Sequence, residues 1–267
     1  MLQLISNLPS DLANILHGYS CEQDTIGESP AQVYRFCKSK NVYYLKIEST
    51  NGLIKREHEI LSWLNGKLPV PKIKYWHEQD DLFYLMMTEA PGQTALNFVN
   101  DKLREPYENT IKALAEGLLM LQSIDISNCP FHNTLDMKLT HALCNIQNDS
   151  IDMEDWEERT RCATPMDLYH WLVANKPNEE LCFTHDDYTP ENIFTKDKKL
   201  TCIIDVGGCG IADKWKDIAL CIRSINIHLG YTRQEEDNKH VQLLFKYLCV
   251  APDWNKIKYY TLLDELF

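Results

Sequence analysis

The chain has 267 residues, 44% hydrophobic and 25% charged, which is the composition of a folded globular protein long enough for one large core or two smaller ones. Its 27 basic and 39 acidic residues leave a formal charge of −12, which repels a phosphate backbone, argues against nucleic acid as a partner and favours cationic ligands. The ten cysteines show no C-x-x-C spacing, Met1 to Leu16 lacks a basic-then-apolar leader pattern, and no apolar run approaches the ~18 residues that span a bilayer, Leu243 to Val250 being interrupted by Lys246; a reducing cytoplasm and no membrane insertion are expected.

Along the chain, Val33 to Phe36 and Val42 to Ile47 are β-branched and aromatic runs separated by polar Lys38 to Asn41, the pattern of an antiparallel hairpin. From Lys55 to Leu64 the apolar residues Ile60, Leu61 and Leu64 recur among charges, predicting an amphipathic helix that ends near Gly66. Strands are expected at Ile73 to Trp76 and Leu82 to Thr88, the second stopped by Glu89-Ala90-Pro91-Gly92, where a domain boundary fits. Beyond it the period changes: Ile111, Leu114, Ala115, Leu118 and Leu119 form a helical stripe, and Met166 to Val173 another. Between Leu181 and Asp205 two short apolar strands bracket polar turns. The expected fold class is α+β, with a small antiparallel-sheet lobe over residues 1–90 and a mainly helical lobe over 91–267.

Three side chains carry the chemistry. Asp187 and Asn192 stand five apart across the loop His185-Asp186-Asp187-Tyr188-Thr189-Pro190-Glu191-Asn192, and Asp205 follows thirteen residues later, after the apolar run Cys202-Ile203-Ile204. Phosphoryl transfer needs this set: a carboxylate to receive the acceptor hydroxyl's proton, and an amide with a second carboxylate to hold Mg²⁺ by hard oxygens. Any one of these residues alone is ordinarily an Asx turn or a helix cap.

The H-x-D-x-x-x-x-N run followed by a strand and Asp-x-Gly resembles the catalytic and metal loops of the eukaryotic-protein-kinase-like fold, and in detail those of the aminoglycoside 3′-phosphotransferases. The likeness extends over Asp24 to Ala31, Gly66 to Pro71, Ser123 to Ser127, Asp213 to Ala219 and the ending Asp253-Trp254 to Phe267. It implies ATP or GTP and Mg²⁺ as cofactors, a polycationic aminoglycoside as acceptor, phosphorylation of a hydroxyl, the 3′ one by the family's name, a resistance role, and a monomer or weak dimer. By motif position Asp187 becomes the catalytic base or substrate-orienting carboxylate, and Asn192 and Asp205 the Mg²⁺ ligands. His185 becomes a residue that orders the loop, and Asp217 a buried carboxylate that braces it through its backbone. For the nucleotide the resemblance implies Ser29 at the phosphates, Lys46 at the α and β phosphates with Glu57 as its ion-pair partner, Tyr44 stacked on the base, and Thr88 and Ala90 at the hinge. The segment between Lys46 and Glu57 is short for the family.

The acceptor pocket is read from charge. Asp152, Glu154, Asp155, Glu157 and Glu158 crowd into seven residues around Trp156, and like charges so close destabilise a helix unless a cation offsets them. A second acidic source is the chain's end, with Asp264, Glu265 and the carboxylate of Phe267. The family resemblance implies Glu154, Glu157, Asp264, Glu265 and Phe267 as drug contacts, with Asp155 and Asp152 beside them, through charge-assisted hydrogen bonds to ammonium groups. Three positions depart from the family: Asp186 stands where it has Gly, Gly208 where it has Arg, and Ile227 where it has an acid. The extra carboxylate at Asp186 should raise a pKa or require a new partner. Two alternatives stay open, a kinase of another small alcohol and a nucleotide- or drug-binding homologue weakened by Asp186.

Overall fold

The computed structural model describes residues 8–24, 31–49, 53–100, 107–229 and 238–267. Two compact units divide the chain, residues 1–91 with 201–208, and residues 92–200 with 209–267.

In the first unit, strands β1 (Ser20–Asp24), β2 (Gln32–Lys38), β3 (Asn41–Ser49), β4 (Ile73–Gln79) and β5 (Leu82–Thr88) form an antiparallel sheet in the order β1-β2-β3-β5-β4. The expected hairpin is β2–β3, whose register pairs Lys38 with Asn41 across a two-residue turn in which Ser39 takes φ 57°. Strand period then sorts β3: Leu45 and Ile47 enter a core with Phe36, Tyr84 and Met86, while Tyr44 and Lys46 share the opposite face. Helix α1 (Ser10–Ile15) closes that core through Leu12, with Leu16 just beyond its end. Helix α2 (Ile54–Leu64) occupies the expected span and buries Ile60, Leu61 and Leu64. Its first turn is anchored by buried Glu48, whose Oε2 accepts the Ile54 N–H at 3.0 Å.

The segment 201–208 joins this unit through hydrogen bonds made by its main chain. Ile203 N–H donates to Pro69 O at 2.8 Å, and Arg56 Nε on α2 donates to Gly207 O at 3.0 Å. These two contacts fix the turn that carries Asp205 against the helix that carries Glu57.

The second unit is mainly helical. Helices α3 (Ala95–Asn100), α4 (Tyr107–Gln122), α5 (Leu135–Gln147), α6 (Trp156–Thr160), α7 (Pro165–Ala174), α8 (Lys214–Leu229), α9 (Lys239–Leu248) and α10 (Trp254–Asp264) follow in order. Between them, β6 (Gln93–Thr94) pairs antiparallel with β8 (Ile193–Lys196), the hairpin partner β9 (Lys199–Ile203) follows, and β7 (Leu181–Thr184) pairs with β10 (Gly210–Asp213). The pairing of β7 with β10 brings the start of the 185–192 loop beside the start of α8. On α4, Ile111, Leu114, Ala115 and Leu118 are buried as their spacing predicts, but Leu119 is 42% exposed. Eight positions from Ile111, it lies ~80° to one side of that residue, while Leu121, about as far to the other side and on the side of Leu114, is buried.

Gly117 on α4 is required by contact. Tyr188, wholly buried, lies against it and donates its hydroxyl to Leu114 O at 2.7 Å, so a Cβ at position 117 would fall on Tyr188 Oη and within 2.9 Å of Leu200 Cδ1. Overpacking of this kind costs about 1–3 kcal/mol. Gly117→Ala should therefore lower the urea midpoint by an amount in that range, and Tyr188→Phe, by removing the colliding oxygen, should restore part of the loss in the double variant although it destabilises the wild-type background.

Candidate active site

On the sheet unit, Lys46 ends a run of alternating core residues and points away from the core, toward two acids. Its Nζ lies 2.7 Å and 2.9 Å from the two oxygens of Glu57 and 3.1 Å from Asp205 Oδ1. Burial works against the Lys46 charge, but Glu57 and Asp205 outweigh it and hold its pKa above the ordinary lysine value. Glu57, 4% exposed, is pushed up by burial and pulled back by Lys46. The short segment before α2 thus still delivers Glu57 to Lys46.

Tyr44 shares the face of Lys46 and lies opposite Arg35 and Met87 in the sheet. Burial raises its hydroxyl pKa despite the neighbouring Arg35. Thr88 is committed to the adjacent strand: its N–H donates to Lys72 O, and its Oγ1 accepts the Lys72 N–H, both at 3.0 Å. Ala90 is buried, and Ser29 lies outside the described residues.

On the helical unit, the 185–192 loop is held by main-chain bonds to one buried side chain. Asp217, 2% exposed in the first turn of α8, accepts the His185 N–H at 2.6 Å on Oδ2 and the Asp186 N–H at 2.9 Å on Oδ1. The buried phenol of Tyr188 anchors the same loop to α4. Between these anchors Asp187 is exposed. Asn192, buried, donates from Nδ2 to both Asp187 Oδ2 and Asp187 O at 2.9 Å, so its amide hydrogens orient the carboxylate and its carbonyl oxygen is left as an acceptor. Among the described residues no three His, Cys, Asp or Glu side chains gather as a metal cluster.

The same unit contains a cavity of about 1170 Å³ between the 152–162 segment and helices α7, α8 and α10. Its wall includes Asp152, Glu154, Asp155, Glu158 and Glu265, but not Glu157, Asp264 or Phe267. Asp264 is ion-paired with Arg223, and Phe267 lies outside under Lys138, whose Nζ is 4.8 Å from the ring centre. The acidic run forms only the single helical turn α6, entered through Asp155 at φ 50°. Arg159 within it supplies the offsetting cation, reaching Glu265 Oε2 at 2.5 Å and Asp152 Oδ2 at 3.6 Å.

A family model described as the phosphotransferase enzyme family matches residues 21–259. An aminoglycoside 3′-phosphotransferase of Enterococcus faecalis is 41% identical over 264 residues, covering 96% of this chain and 97% of the relative. The chain belongs to the aminoglycoside 3′-phosphotransferase family. A Staphylococcus aureus member is 40% identical over 96% of this chain and 97% of its own. The crystal structure of a type VIII aminoglycoside-3′-phosphotransferase has a TM-score of 0.77 at 26% identity, covering 96% of this chain and 98% of that one. The fold is accordingly the α+β, kinase-like fold of the family, with an antiparallel-sheet unit and a mainly helical one.

Against this family background Asp186 acquires a physical account. At φ 79° it occupies the left-handed region in which glycine is unstrained, so a side chain there carries a backbone cost. Its carboxylate, 14% exposed, lies between Lys138 Nζ, 2.5 Å from Oδ2, and Lys216 Nζ on Oδ1. Burial pushes the Asp186 carboxyl up, but Lys216 and Lys138 together hold it below the ordinary value. The expected new partner exists, and there are two. Nothing local in the sequence marks Lys138 or Lys216, each tens of residues from Asp186. A depressed folded-state pKa contributes stability above the unfolded value of ~4, lost as pH falls through the folded value. Asp186→Asn should therefore cost ~3 kcal/mol in urea unfolding at pH 7, the usual scale for breaking a buried pair. The gap between variant and wild type should narrow once pH drops below ~4.

Proposed function

We propose that this chain transfers the γ-phosphate of ATP or GTP to a hydroxyl of an aminoglycoside, in the position its family name gives, the 3′ hydroxyl. What supports the acceptor class is 41% identity to a full-length aminoglycoside 3′-phosphotransferase. The observation that carries the chemistry is the Asn192–Asp187 pair, an amide that fixes an exposed carboxylate by two bonds of 2.9 Å on a loop anchored by Asp217.

In this reading residues 1–90 hold the nucleotide and 91–267 hold the drug. Lys46, kept protonated by Glu57, attracts the α and β phosphates. Tyr44 offers a ring to the base, and Thr88 and Ala90 border it at the hinge; with the Thr88 N–H engaged by Lys72, recognition there uses the remaining main-chain groups. Ser29 belongs to the phosphate turn by sequence position. Asn192 and Asp205 are the residues to hold Mg²⁺, which when bound neutralises charge on the triphosphate. Asp187 orients the attacking hydroxyl and receives its proton. The cavity lined by Glu154, Asp155 and Glu265 receives the amino sugar, and Glu157, Asp264 and Phe267 are drug contacts by sequence position alone. A resistance role, a cytoplasmic setting and a monomer or weak dimer complete the reading.

The test is incubation with kanamycin, Mg²⁺ and each nucleotide, followed by mass spectrometry of the drug. One added phosphoryl group is expected, mapped by NMR to the 3′ oxygen. Asp187→Ala should lose ~10³-fold in kcat while calorimetric kanamycin affinity stays within about threefold. Turnover retained in that variant removes Asp187 from its role, and an unmodified drug with wild-type protein removes the acceptor class.

A further inference from the structure

The cavity wall contradicts its own sequence signature. Five carboxylates line it, yet Arg159, Arg161, Arg223 and Lys258 line it too, so four cations nearly balance them. Two of those cations are spent on one acid. Glu265 receives Arg159 Nη1 on Oε2 at 2.5 Å and Arg223 Nη2 on Oε1 at 2.8 Å, and Arg223 also pairs with Asp264. Arg159 is further fixed by donating from Nε to Glu154 O at 3.0 Å and from Nη2 to Asp152 O at 2.8 Å. At position 227 the cavity is lined by exposed isoleucine, where the family resemblance implies an acid.

An ammonium group of a ligand entering this cavity seeks carboxylate oxygens and backbone carbonyls. Arg159 already engages both kinds, on Glu265 and on the 152–154 backbone. We propose that Arg159 is the specificity-determining residue of the acceptor cavity, a resident stand-in for a substrate ammonium that lowers the cavity's preference for the most highly charged aminoglycosides. This rests on the acceptor role proposed for the cavity. The guanidinium and a ligand ammonium compete for the same oxygens, so each further positive charge on the acceptor meets a partner already taken.

The experiment is calorimetric binding of kanamycin and of neomycin, which carries more amino groups, to the full chain and to two variants. Arg159→Ala removes the cation, and Arg159→Gln removes the charge while keeping a donor for the backbone carbonyls. The expected result is ~10-fold tighter neomycin binding in both variants, with a smaller gain for kanamycin. If the alanine variant does not fold, the glutamine variant decides alone. Neomycin binding that is unchanged or weaker, or a gain equal for the two drugs, overturns the proposal. The binding ratio is read without turnover, so a wild-type protein that binds these drugs but leaves them unphosphorylated defeats the proposed reaction and not the role of Arg159.

Discussion

Asp217 is a carboxylate with almost no access to water, and two main-chain N–H groups point at it and offset part of the cost of burying its charge. Those two groups belong to His185 and Asp186, the residues immediately before the candidate base. Burial pushes the Asp217 carboxyl up, and His185 and the two N–H bonds oppose the shift. The two bonds hold the loop by its main chain at the residues that precede Asp187. Register makes the arrangement possible: the pairing of β7 with β10 ends one strand at Thr184 and starts α8 at Lys214, so that the fourth helical residue meets the loop.

The residue next to Asp217 extends the same logic to side chains. Lys216 pairs with Asp186 and is also raised by the nearby Asp264, although burial alone would lower its pKa. Asp264 pairs with Arg223, Arg223 with Glu265, and Glu265 with Arg159. An alternating chain of charges thus runs from the 185–192 loop to the wall of the cavity. Each acid is answered by a base, so the chain stores specificity of geometry more than net stability, and removal of one member leaves its neighbour uncompensated. The departure of Asp186 from glycine fits this view, since its backbone cost comes with a partner for two lysines that would otherwise face each other.

Much of this was legible in the sequence, and the division is physical. Elements set by local periodicity appear where expected, among them the β2–β3 hairpin, α2 with its buried stripe, and β5 up to Thr88. The Lys46–Glu57 pair was also readable, through its likeness to a family motif. Short or polar elements were not: α1 has six residues and β1 reads Ser-Cys-Glu-Gln-Asp, and neither displays a period. Long-range partners were also hidden. Glu48 anchoring α2, Lys138 and Lys216 around Asp186, and Tyr188 pressing on Gly117 are pairings that only tertiary structure creates. The acidic run of 152–158 shows only part of the cavity's charge: the next residue, Arg159, packs onto Glu265 and changes the balance.

The proposed reaction requires Lys46, Asp187, Asn192 and Asp205 to serve one phosphoryl-transfer centre, and a crystal structure with a non-hydrolysable ATP analogue, Mg²⁺ and kanamycin tests that most directly. The account predicts phosphate oxygens at Lys46 Nζ, a metal ligated by the Asn192 amide oxygen and the Asp205 carboxylate, and a kanamycin hydroxyl within hydrogen-bond distance of Asp187. A metal held by other side chains, or a drug seated away from Glu154, Asp155 and Glu265, contradicts it.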